Sequence, residues 1–196
     1  MQVALYLTLG RLLLGPLFLI CYLYHFHLGI SLIFLPYLLL ILLFISELSD
    51  FLDGFLARKW DQVTELGKVL DPMADSIARI SVFFTFTQGV IQLPLLLIFV
   101  FFYRDAIIST LRTICALRGV ALAARKSGKI KAIVQAASTF AIILLMIPFT
   151  LGKISLQTLQ WSSLWIASLA SLYTVLSGAE YIYRNLQYIR RVWSKS

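Results

Sequence analysis

Charged side chains are scarce in this sequence. Asp, Glu, Lys and Arg make up 13% of its 196 residues, about half of the roughly 25% found in an ordinary globular chain. Acids are the scarcer sign, nine against seventeen basic residues. With 60% of its residues hydrophobic, such a chain does not read as a soluble domain. Several windows of about 20 residues carry few or no charges, enough to cross a hydrocarbon core of about 30 Å. The sequence reads as an integral membrane protein.

Cysteine and histidine are equally sparse, and each scarcity excludes a class of chemistry. Cys21 and Cys115 both fall in apolar segments; they build no disulfide framework and read as small buried hydrophobes. His25 and His27 are two apart, so on a helix their rings point to different faces and form no metal pair. Beside Tyr22 and Tyr24 they suit a membrane interface instead. The first apolar run has no basic start leading to a small-residue cleavage site, and is not read as a cleavable signal peptide. No internal repeat is evident, so a single membrane domain over residues 1–196 accounts for the chain. The net charge of +8 could point to nucleic acid. In a membrane protein, however, Lys and Arg first mark cytoplasmic loops, and no nucleic-acid partner is expected.

Hydrophobic patterning predicts six spans, at 12–30, 32–56, 69–90, 93–118, 132–151 and 157–183. Pro16 and Pro36 lie near the starts of the first two, where a membrane helix tolerates them. The connections on the N-terminal side hold Arg58, Lys59 and Lys68, then Arg112 to Lys131, then the tail with Arg184, Arg190, Arg191 and Lys195. The opposite connections hold only Lys153. This asymmetry predicts an all-α, six-transmembrane-helix bundle with both termini cytoplasmic.

Against this background one stretch stands out. Six of the nine acids, Asp50, Asp53, Asp61, Glu65, Asp71 and Asp75, fall within residues 50–75, and Glu47 sits just before them. Asp50 and Asp53 are three apart and Asp71 and Asp75 four apart, so each pair shares a helix face. The end of the second span and the start of the third can therefore aim four carboxylates at one point. A single acid deep in a membrane costs about 2.5–3.5 kcal/mol. Two divalent cations would neutralise four carboxylates charge for charge, and hard oxygen donors favour Mg²⁺, Mn²⁺ or Ca²⁺ over zinc. Gly54 and Ala57 leave one helix surface bare for close approach, and Arg58 offers a fork for phosphate. A loop of acids is often only a solvated face, and an ion-conducting path also uses intramembrane acids. A path, though, would spread them through the bilayer midplane, whereas these bunch at one end of two helices.

The full arrangement is D-x2-D-G-x2-A-R-x8-G-x3-D-x3-D, filled by Asp50, Asp53, Gly54, Ala57, Arg58, Gly67, Asp71 and Asp75. It resembles the signature of the CDP-alcohol phosphotransferase family, whose six-span architecture also matches. The resemblance implies displacement of CMP from a CDP-linked lipid or alcohol by a second alcohol. It implies two divalent cations, Mg²⁺ or Mn²⁺, on Asp50, Asp53, Asp71 and Asp75, with Asp75 as the base toward the acceptor hydroxyl. It implies a CDP site at Asp50, Gly54, Ala57, Arg58 and Gly67. A homodimer in a bacterial cytoplasmic membrane, its active site facing the cytoplasm, is also implied.

The acceptor is read from the second half. Tyr103-Arg104-Asp105, Leu111-Arg112 and Gly128-Lys129-Ile130-Lys131 resemble the phosphatidylglycerophosphate synthase branch of that family. That branch implies CDP-diacylglycerol as donor and sn-glycerol 3-phosphate as acceptor, with Arg104, Arg112, Lys129 and Lys131 as ligands of the acceptor phosphate. Thr8 and Arg11 match the branch's Thr-x-x-Arg. Leu5 and Ala132 depart from its pattern, where it has Asn and Thr. Inositol phosphate, serine or phosphatidylglycerol are the alternative acceptors; a transporter or a non-catalytic membrane scaffold are alternatives of another class. Intact Asp75 and Arg58 argue against the scaffold.

Overall fold

The computed structural model describes the backbone of residues 2–59, 65–117 and 126–193, and the side chains of 10–49, 73–117 and 126–189. Among these residues all regular structure is helical. The helices are α1 (Gln2–Tyr24), α2 (Leu35–Lys59), α3 (Glu65–Thr85), α4 (Leu95–Leu117), α5 (Lys126–Thr150) and α6 (Leu156–Trp193).

All six expected helices are present, with shifted ends. α1 begins at Gln2, well before residue 12, because Arg11 does not mark an interface. Its side chain is 2% exposed and turned into the bundle. α1 stops at Tyr24 because Gly29, at φ +70°, reverses the chain, while the Ile30 N–H closes on the His25 carbonyl at 2.8 Å. α5 starts at Lys126, six residues before the predicted 132, so Gly128 and Lys129 lie in its first turn. α6 continues past 183 to Trp193, since no Gly or Pro stops it, and a Glu180–Arg184 pair at 2.9 Å supports that stretch.

The helices form a closed ring. α1 packs on α2 and α3, α3 on α4, α4 on α6, α6 on α5, and α5 returns to α2, while α3 also touches α5 across the middle. Inside lie Phe18, Phe83, Phe86, Phe101, Ile142 and Met146, all nearly inaccessible. Phe18 meets Phe86 edge-on at 5.9 Å, and Phe83 meets Phe101 at 4.5 Å. Outside, Ile41, Phe44, Phe84, Phe102, Leu144, Leu169 and Leu172 are all exposed. An apolar exterior of that extent belongs in lipid. Among the described residues, α5 and the Leu156–Ile189 part of α6 are long and apolar enough to cross a bilayer. α1 and α2 contribute shorter apolar stretches, Gly10–Tyr24 and Leu35–Ser49.

Several hydroxyl and amide groups inside the ring find partners within the bundle, as a bilayer demands. Thr85, Ser138 and Thr174 hydroxyls each donate to the carbonyl four residues back on their own helix. Gln135 Nε2 donates to Thr174 Oγ1 at 3.3 Å and links α5 to α6.

The far end of the bundle is latched by Tyr22. Its hydroxyl donates to the Gln88 carbonyl at 3.1 Å and accepts from the N–H groups of Val90 and Ile91 at 3.1 and 3.2 Å. The latch needs Gly89, which holds φ +67° and where a Cβ would fall 2.6 Å from the Tyr22 ring. Gly89→Ala is expected to cost about 1–3 kcal/mol through backbone strain, with the ring clash added. Thermal unfolding of the purified variant, read against wild type, checks this.

Candidate active site

The site is built where α1 and α3 approach most closely. A Cβ on Gly15 would lie 2.9 Å from Ser81 Cβ, so the two helices nearly touch. One turn before Gly15 on α1 stands Arg11, which this approach brings onto Asp75 of α3 as an ion pair. Arg79, one turn beyond Asp75 on α3, adds its Nη2 at 3.8 Å from Asp75 Oδ2. Two guanidinium groups thus aim and balance the Asp75 carboxylate. Ser46 and Glu47 of α2 border the same small pocket as Arg11, Asp75 and Arg79, so α2 passes beside Asp75 just before its Asp50 turn.

Asp75 also lines a cleft of about 610 Å³ bounded by α3, α4, α5 and the Tyr181 side of α6. Among the described residues, Arg79, Arg104, Arg112, Lys129 and Lys131 reach its walls, with the acids Asp75 and Asp105. Among the described residues the lining is therefore predominantly cationic. Such a lining suits an anionic ligand.

Asp105 organises this wall. It is 8% exposed, and both its oxygens accept from Lys131 Nζ, at 2.7 and 2.8 Å. Arg104 Nη1 donates to Oδ1 at 3.0 Å, and Ser76 Oγ donates to Oδ2 at 2.9 Å. One carboxylate therefore ties α3, α4 and α5 together and orients two cations. Arg112 and Lys129, by contrast, make no hydrogen bond or ion pair among the described residues. Nε of Arg79 and Nε of Arg104 are buried donors with no acceptor among the described residues. Unused guanidinium donors beside a cationic cleft are what an oxyanion site needs.

Of the residues expected from sequence, Asp75, Arg104, Arg112, Lys129 and Lys131 come together at this one cleft. Asp50, Asp53, Gly54, Ala57 and Arg58 lie on the last turns of α2, and Gly67 and Asp71 on the first turns of α3. Their side chains are outside the described residues, as are those of Leu5 and Thr8. Ala132 lines the cleft. Among the described residues no three His, Cys, Asp or Glu side chains converge.

Three participants carry more weight than the sequence assigned them. Arg79 had a signal, its spacing of four from Asp75, which puts both on one helix face. Asp105 was noted only as a neighbour of Arg104; its role as a three-helix hub depends on Ser76 and Lys131, distant in sequence. Gly178 of α6, whose Cα faces Arg104, had no sequence signal at all.

Comparison with known proteins identifies the family. The family model described as CDP-alcohol phosphatidyltransferase matches residues 1–173. The CDP-diacylglycerol–glycerol-3-phosphate 3-phosphatidyltransferase of Bacillus subtilis (strain 168) is 32% identical over 190 residues, covering 94% of this chain and 95% of that protein. The protein of the same name from Rickettsia typhi is 29% identical over 179 residues, covering 90% and 92%. A CMP-forming cardiolipin synthase of Streptomyces coelicolor is 44% identical over 69 residues, covering 35% of this chain and 32% of that protein. By motif, helical architecture and a family match spanning most of its length, the chain is a membrane-associated enzyme that belongs to the CDP-alcohol phosphatidyltransferase family.

Proposed function

We propose that the protein transfers the phosphatidyl group of CDP-diacylglycerol to sn-glycerol 3-phosphate and releases CMP. The observation that carries this reading is the cationic cleft opening onto Asp75. It offers a dianionic acceptor a place to bind beside a carboxylate. Relatives that bear the corresponding name align over nearly the whole chain, which supports the same acceptor.

In the reaction, the acceptor's hydroxyl oxygen bonds to the phosphorus that carries diacylglycerol. The bond from that phosphorus to the bridging oxygen of CMP breaks, and CMP departs with the electron pair. The hydroxyl proton passes to an Asp75 oxygen. Arg11 and Arg79 keep that carboxylate aimed. Arg112 and Lys129 bind the acceptor phosphate with donors that no group among the described residues occupies, and Arg104 and Lys131 add theirs from the Asp105 network. Gly54, Ala57, Arg58 and Gly67 receive the CDP moiety.

Asp50, Asp53, Asp71 and Asp75 would hold two divalent cations, Mg²⁺ or Mn²⁺. The donors fit: all are hard carboxylate oxygens, carried by the end of α2 and the first half of α3. When bound, such ions supply Lewis-acid stabilisation of charge on the pyrophosphate.

Six crossings, with both termini and the cleft on the cytoplasmic side of a bacterial membrane, account for the placement of Lys and Arg. Gly, Ala and Ser on α3, α5 and α6 are suited to the close helix contacts of a homodimer.

The test is an acceptor panel. Purified protein receives CDP-diacylglycerol, Mg²⁺ or Mn²⁺ and one alcohol at a time, scored by CMP released. Glycerol 3-phosphate is expected to give the fastest turnover, and chelation of the metal to stop it. Faster turnover with serine, inositol phosphate or phosphatidylglycerol overturns the choice of acceptor.

A further inference from the structure

Arg104 is held in an unusual way. Its Nη1 is bonded to Asp105, while its Nε is buried and meets no acceptor among the described residues. The edge formed by Nε and Nη2, the side of a guanidinium that grips an oxyanion with two parallel bonds, therefore makes no hydrogen bond among the described residues. Two glycines border this side chain. A Cβ on Gly178 of α6 would lie 3.0 Å from Arg104 Cγ, 3.7 Å from Nε and 3.9 Å from Cδ. A Cβ on Gly128 of α5 would lie 3.9 Å from Nη2. The stem of Arg104 thus runs across bare backbone at Gly178, and its tip reaches bare backbone at Gly128.

Gly178 sits inside α6, where glycine weakens a helix relative to alanine. The backbone there needs no left-handed conformation, since the positive-φ glycines are Gly29, Gly89 and Gly152. What the position lacks is room: a methyl group would press on the arginine stem. Gly178 also lies beyond residue 173, where the match to the family model ends.

We propose that Gly178 is a positioning residue for acceptor recognition. It seats Arg104 so that Asp105 takes one Nη and the opposite edge is left for the phosphate of a phosphorylated alcohol. α6 then contributes to acceptor choice without touching the acceptor. The inference rests on the acceptor site proposed above.

The experiment is Gly178→Ala, assayed alone and in an Arg104→Ala background. Alanine favours the helix, so the single variant should melt at or above the wild-type temperature, which removes misfolding as an explanation. A shift of a few tenths of an ångström in a phosphate-binding fork should raise KM for glycerol 3-phosphate about tenfold. KM for CDP-diacylglycerol should not change, and kcat should change little. In the Arg104→Ala background the same substitution should add nothing, because its only route to the acceptor has gone. An unchanged acceptor KM, an equal rise in donor KM, or a full effect without Arg104 each overturns the role of Gly178. Wild-type protein that ignores phosphorylated acceptors overturns the acceptor site itself, and that result is read separately, before any variant is made.

Discussion

Asp75→Asn is expected to reduce the rate of CMP release by about 10³-fold or more while leaving the protein folded. The size follows from its role as proton acceptor, since a positioned general base contributes about 10²–10⁴-fold, and loss of a proposed metal ligand deepens the effect. The fold survives because asparagine is nearly the same shape and its Oδ1 still accepts from Arg11. Asp75→Glu keeps the charge but displaces it by one methylene, and an intermediate loss is expected, since about 1 Å of misplacement can cost about 10²-fold. CMP release at saturating acceptor, with thermal unfolding in parallel, measures both claims. Near-normal turnover by Asp75→Asn would remove Asp75 from the chemistry.

That the sequence points so directly to Asp75 has a physical cause. Acids are rare in this chain and expensive in a bilayer, so their concentration on two helix ends stands out. The helices were legible for a similar reason. Long apolar runs separated by basic connections leave few other solutions. The ends were less legible, because a charged residue need not mark a helix boundary. Arg11 shows this: a cation can enter the bundle when a carboxylate meets it.

The basic half of the site was readable only as a set. Arg104, Arg112, Lys129 and Lys131 stood out as cations near one end of two spans, and spacing could not tell which donors would be free. The fold separates them. Lys131 is 4% exposed with its ammonium on Asp105, whereas Lys129 is exposed and Arg112 half-buried, neither of them paired among the described residues. That division arises from contacts between helices, Ser76 to Asp105 and Asp105 to Lys131. No local pattern encodes them. Gly178 is the extreme case, since its importance lies in what it leaves empty beside a residue 74 positions earlier.

The Asp105 network makes the largest expected change in stability. In Asp105→Ala, Lys131 and Arg104 lose their shared carboxylate and are left as two like charges, one of them almost fully buried. Breaking a buried pair by removing one partner costs about 3–5 kcal/mol. For a chain of this length that corresponds to a fall of roughly 10 °C or more in Tm. The loss is chiefly that of stranded cations, so removing one of them should reverse much of it. Replacing a buried ion pair by apolar groups is often neutral or stabilising, and the double variant Asp105→Leu with Lys131→Met is expected to recover most of the lost Tm. It should not recover acceptor binding. With Lys131 gone and Arg104 no longer oriented, at least one charge-assisted bond of about 1.5–3 kcal/mol is lost, and KM for glycerol 3-phosphate should remain about tenfold or more above wild type. Thermal unfolding and acceptor saturation curves for both variants separate the two roles. An Asp105→Ala protein that melts with wild type would show that the network does not hold the helices together. A double variant with the wild-type acceptor KM would show that Asp105 and its cations serve the fold alone, leaving the acceptor to Arg112 and Lys129.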